Sequence, residues 1–112
     1  MQTGALFSMR LSPRQINTLK SAVSRHFGPG ARVWLFGSRL DDGRRGGDYD
    51  FYLETELTNP DQILDGKIHL LADLHATPEF EDEKIDVVIR PLASWSTELP
   101  IYRIARQEGI AL

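Results

Sequence analysis

A chain of 112 residues, 41% hydrophobic and 26% charged, has room for a single core and is too apolar for compositional disorder. Zero cysteines exclude disulfides, thiolate catalysis and cysteine zinc sites. No apolar run approaches the roughly 20 residues of a membrane helix, and a net charge of −3 disfavours a general duplex-binding protein.

The start, MQTGALFSM, lacks the basic region of an export signal, so a cytoplasmic protein is expected, with one domain over 1–112. Ser12-Pro13-x-Gln15 reads as a helix start: serine caps, proline suits the first helical position and glutamine completes a capping box. Ile16, Leu19, Val23 and Phe27 then fall on one helical face, and Gly28-Pro29-Gly30 ends the helix. Ala31–Phe36 is an apolar run bounded by glycines, the pattern of a buried strand. Gly37-Ser38 and a polar, glycine-rich loop, Arg39–Gly47, lead to a second strand over Asp48–Glu54. A helix is expected over Asp61–His75, with Ile63, Leu64, Ile68, Leu71 and Leu74 near one face. Thr77–Glu83 is an acidic connection, and Lys84–Arg90 a third strand closed by Pro91. A last helix runs from about Leu99 to Gln107, with Gly109 as its cap and an apolar tail, Ile110–Leu112. The order α-β-β-α-β-α predicts an α+β domain: a small mixed sheet with helices packed mainly on one face.

Side chains on a strand alternate faces. Tyr49, Phe51 and Leu53 therefore point one way, and Asp48, Asp50, Tyr52 and Glu54 the other. In the third strand Ile85, Val87 and Ile89 share one face, and Asp86, Val88 and Arg90 the opposite one. If the two strands are neighbours, Asp48, Asp50 and Asp86 converge. Like charges that close repel, by about 4 kcal/mol at 4 Å and an effective dielectric near 20, and a bound cation relieves this. All-oxygen donors favour magnesium or manganese over zinc, with coordination positions left for water and substrate phosphate. The alternative is a pair of solvated strand acids, with Asp86 held by Arg90 or Lys84.

Phe36-Gly37-Ser38, a nine-residue spacer, Asp48-Tyr49-Asp50-Phe51 and later Ile85-Asp86-Val87 together resemble the signature of the DNA polymerase β-like nucleotidyltransferase superfamily. The small size points to its minimal (MNT) class. The resemblance implies a palm-like nucleotidyltransferase fold in which Asp48, Asp50 and Asp86 hold catalytic Mg2+ or Mn2+. It implies that Asp86 also orients or deprotonates the acceptor hydroxyl, and that Gly37 and Ser38 contact nucleotide phosphates. Arg39, next to that turn, could meet phosphate charge. The reaction implied is transfer of a nucleoside monophosphate from a nucleoside triphosphate such as ATP. Gly47 stands where relatives often carry serine, and no second domain offers an acceptor. Minimal members are commonly paired with a helical HEPN protein, several of them as antitoxins that modify it, so a HEPN-type partner is the expected acceptor. Two other readings stay open: a non-catalytic binding module that neutralises a partner by contact, and a homo-oligomer whose cleft takes a small acceptor. His26, His69 and His75 fall on helices and are read as structural. Trp34, Trp95 and Tyr52 are read as packing residues, and Arg44 and Arg45 as solvated loop cations.

Overall fold

The computed structural model describes residues 11–37, 49–93 and 97–112. Helix α1 (Pro13–Phe27) begins at the expected capping box. The Ser12 hydroxyl accepts from the Gln15 backbone N–H at 3.1 Å, and the Gln15 side chain accepts from the Ser12 N–H at 2.9 Å. Strand β1 (Arg32–Phe36) and strand β2 (Tyr49–Thr55) follow. Helix α2 (Pro60–His75) is capped by the Asn59 side chain, which accepts from the Asp61 and Gln62 N–H groups. Strand β3 (Ile85–Pro91), helix α3 (Pro100–Glu108) and a two-residue strand β4 (Ile110–Ala111) complete the chain. The result is a four-stranded mixed sheet in the order β3-β2-β1-β4 with three helices, an α+β domain. No helix among the described residues is long and apolar enough to cross a membrane.

β1 runs antiparallel to β2 with Phe36 opposite Asp50. β3 runs parallel to β2, as a strand returning through a helix can. The apolar faces predicted for the two strands are the buried ones. Tyr49, Phe51, Leu53, Ile85 and Val87 join Val33 and Leu35 beneath α1 and α2. Phe80, fully buried in the acidic connection, meets Tyr49 and Phe51 edge-on at ring-centroid distances of 5.6 and 6.3 Å.

One expectation needs correction. α2 buries Gly66, Leu70 and Leu74, not the whole predicted stripe; Leu64 and Ile68 are 57% and 55% exposed. The Phe27 ring lies so near Gly66 that a Cβ there would sit 2.9 Å from it, and this contact turns the Gly66 side of α2 inward. The helices pack mainly on one sheet face, as expected, and the third covers the other. α3 lies across it, and Tyr52, Tyr102 and Ala105 form a smaller core with Trp34, Phe36 and Val88 packed against it. The apolar tail docks on its own domain. Ile110 and Ala111 pair with Leu35 and Trp34, and the Leu112 N–H donates to the Val33 carbonyl at 2.9 Å. Gly109 does cap α3, but in extended rather than left-handed backbone. Its glycine is needed for space, because a Cβ would lie 2.7 Å from the Leu35 carbonyl oxygen.

Candidate functional site

The sheet topology gathers three strand ends at one place. β1 ends where β2 begins because the two are antiparallel, and β3 begins beside β2 because they are parallel. At that end Asp50 and Asp86 are direct register partners on adjacent strands. Register partners share a side of the pleat, so both carboxylates leave the sheet on the face opposite the main core, from strands about 4.8 Å apart. Asp50 is half-buried and Asp86 exposed. Among the described residues Asp86 makes no hydrogen bond or ion pair. Arg90, its proposed structural partner, is engaged elsewhere.

Gly37 closes the site from the β1 side. Its backbone is left-handed, φ 82°, a region open to glycine at no steric cost. A Cβ built there would overlap the Asp50 carboxylate and come within 3.1 Å of its Cγ and 3.3 Å of its Cβ. Glycine thus lets the turn after β1 lie directly against an acid of β2. The remaining predicted site residues, Ser38, Arg39 and Asp48, lie outside the described residues, as do Arg44, Arg45 and Trp95.

Among the described residues no three acids or histidines stand together as a metal cluster. Two carboxylates at register partners still suit a hard cation, because magnesium usually takes one or two protein carboxylates and keeps water or phosphate in its other positions. The donor set therefore fits Mg2+ or Mn2+ and offers nothing to a thiophilic metal.

The same sheet face carries a charged network that the sequence reading missed. Glu54, two pleats from Asp50, is only 7% exposed. It accepts a hydrogen bond from the Tyr52 hydroxyl at 2.7 Å and lies 3.7 Å from Arg90 and 3.6 Å from Arg106. Glu98 binds Arg106 through both oxygens, at 2.7 and 2.9 Å, and meets Arg90 at 3.1 Å. Burial and the Glu54 carboxylate raise the Tyr52 pKa, so the phenol stays protonated and donates. The hydrogen bond to Glu98 holds the Arg106 guanidinium charged and the Glu98 carboxyl below its usual range. The network pins α3 to the sheet, and the acid pair lies at the other end of that face. Its signal in sequence was the alternation Tyr52-x-Glu54 opposite Asp86-x-Val88-x-Arg90, which places a cation beside Glu54 once the register is known.

The histidines belong to the helical layer. His26 meets Asp73 at 2.6 Å and stacks on His69, whose Nδ1 pairs with the Asp65 carbonyl; His75 pairs with the Glu83 carbonyl. Two surface grooves also lie away from the acids. One of about 560 Å3 runs between α1 and β1, lined by Lys20, Ser24, Arg32 and Leu112. The other, about 340 Å3, lies beside His26 and His69. No protein-family model matches the chain, and none of the curated proteins matches it significantly.

Proposed function

We propose that the chain is a magnesium-dependent nucleotidyltransferase of the minimal class, and that ATP or another nucleoside triphosphate is its donor. The observation that carries the reading is the pairing of Asp50 with Asp86 on parallel neighbours, with the Gly37 turn packed against the first carboxylate. A two-acid strand motif alone recurs by chance. Alignment of both acids with a close-packed glycine turn is what phosphate chemistry on this motif needs.

In this reading Asp50 and Asp86, joined by Asp48 from the same motif, hold Mg2+ or Mn2+, which supplies charge stabilisation for the phosphates. The open backbone at Gly37 lets N–H groups approach phosphate oxygens, and Ser38 and Arg39 follow it in sequence. Asp86 is exposed and so available to orient an incoming acceptor hydroxyl and take its proton. The hydroxyl oxygen forms a bond to the α-phosphorus. The bond to the β-phosphate bridging oxygen breaks, and pyrophosphate leaves with the electron pair.

The acceptor we favour lies on a partner protein, of the HEPN type that the resemblance implies, because the two grooves described above are lined by residues away from the acid pair. Exposed Leu92, Leu99, Ile101 and Ile104, on and beside α3, offer apolar surface to such a partner. The same surface supports the second reading, a module that acts by contact alone. The test is transfer from ATP labelled at the α-phosphate to the co-expressed partner, with wild type and Asp50→Asn. Label on the partner only with wild type supports the enzyme. Neutralisation of the partner by Asp50→Asn, without label, supports the contact module.

A further inference from the structure

The groove of about 560 Å3 between α1 and the start of β1 has the size of a site for a small organic ligand. Helical spacing sets Lys20 and Ser24 one turn apart on α1, with Ser21 beside them, and the turn at Pro29 brings Arg32 of β1 into the same lining. Val23 and Val33, both buried, make its apolar floor. All four polar side chains can donate hydrogen bonds, and none is held by an acid. The Lys20 ammonium makes one bond, to the neutral Leu112 carbonyl at 3.1 Å, and keeps two N–H groups. Arg32 makes no ion pair among the described residues. Its guanidinium rests over the Trp34 ring, 5.9 Å from the centroid, a stack that leaves the N–H edge open. The Ser21 and Ser24 hydroxyls bond to nothing among the described residues. No carboxylate side chain lines the groove, and Glu56, packed on neighbouring Gly30, stays outside the lining.

We propose that this groove binds a small organic phosphomonoester, with its phosphate between Lys20 and Arg32 and its apolar body over Val23 and Val33. A phosphomonoester carries about 1.5–2 negative charges at neutral pH, which two cations match. A monocarboxylate leaves one of them without a counter-charge. An arginine fork and a lysine point charge are both phosphate partners, and serine hydroxyls add donors for the remaining oxygens. The groove is distinct from the acid pair. Val33 lies about 10 Å along β1 from Phe36, the register partner of Asp50. Val33 also faces the helical layer, whereas the acids leave the opposite side of the sheet.

Phenyl phosphate in metal-free buffer is the probe, followed through the amide chemical shifts of the isotope-labelled full chain. Saturable shifts should appear at Ser21, Ser24, Arg32 and Val33 and not at Asp50 or Asp86. The dissociation constant should be about 1 mM or below, as suits a ligand of this size. Inorganic phosphate, which lacks the apolar body, and benzoate, which has one charge, should each bind at least about fivefold more weakly. Arg32→Gln and Lys20→Gln should each weaken phenyl phosphate by a similar factor. Both side chains are exposed, so both variants keep the fold, and glutamine at position 20 can still donate to the Leu112 carbonyl. Arg103→Gln removes an exposed cation of α3 outside the groove and should bind like the wild type. Shifts that do not saturate by about 10 mM overturn the proposal. So do shifts centred on Asp50 and Asp86, wild-type binding by Arg32→Gln or Lys20→Gln, or an equal loss in Arg103→Gln. Benzoate bound as tightly as phenyl phosphate overturns the choice of phosphate, and inorganic phosphate bound as tightly overturns the apolar floor.

Discussion

Two glycines allow the site contact to be separated from backbone strain. Gly37 and Gly28 both have left-handed backbone, φ 82° and φ 89°. A Cβ at Gly28 meets nothing within 4 Å, whereas one at Gly37 overlaps the Asp50 carboxylate. Alanine at either position pays a conformational penalty of about 1–3 kcal/mol, Gly28 at φ 89° and ψ 162° lying in a region essentially reserved for glycine, or roughly 4–13 °C in Tm for a domain of this size. Only Gly37→Ala must also displace Asp50. The Cβ and Cγ of Asp50 lie 3.3 and 3.1 Å from the new atom, so rotating the terminal oxygens away is not enough and the whole side chain must shift. A ligand group moved by a fraction of an ångström loses at least tenfold in affinity, about 1.4 kcal/mol. Thermal unfolding of both variants, with calorimetric titration of ATP and magnesium, separates the effects. Gly28→Ala should lose stability and keep wild-type binding; Gly37→Ala should lose more of both. If Gly37→Ala matches Gly28→Ala in stability and binds nucleotide like the wild type, binding does not depend on where Asp50 is held.

Asp86→Asn should abolish nucleotidyl transfer while changing stability by under ~0.5 kcal/mol, because the side chain is exposed; transfer assays beside urea unfolding check both halves. Glu54→Gln should cost about 2 kcal/mol in urea unfolding, since it leaves two partly buried guanidinium groups without their central carboxylate. Glu98→Gln, at the rim of the same network, should cost clearly less. The His26 hydrogen bond first, and then Arg25, hold the Asp73 carboxyl below its ordinary value of 3.8, and Arg106 holds Glu98 below 4.5. A carboxylate depressed in the folded state stabilises above its ordinary pKa, and the benefit is lost as pH falls through the folded value. The unfolding free energy should therefore decline below about pH 4.5, and the double variant Asp73→Asn, Glu98→Gln should show a shallower decline.

The fold was legible where pattern and local chemistry agreed. The Ser12 box, the Gly28 stop and the alternation in β2 and β3 each reflect one residue's own constraints, and each stands in the structure. α2 was harder, because Leu64 and Ile68 suit a core stripe equally well. Only the approach of Phe27 to Gly66 decides which side faces inward, and that contact joins residues far apart in sequence. Glu54 was unreadable for the same reason. An acid on the polar side of a strand looks solvated until α3 lies across it and brings Arg106. β4 is too short for any periodicity. Of the site, the strand faces of Asp50 and Asp86 were readable from alternation, but their direct pairing required the parallel register. The place of Gly37 was marked by its position after β1, and its contact with Asp50 was not.

The most direct test of the account is thermal unfolding with ATP, with and without magnesium, on wild type and Asp50→Asn, each compared with its own ligand-free baseline. Saturation at a hundred times the dissociation constant stabilises by about 2.7 kcal/mol, a shift of roughly 10 °C or more. The account predicts a magnesium-dependent rise in the wild type that Asp50→Asn loses. A wild type indifferent to magnesium and ATP, or an equal rise in both proteins, would contradict it.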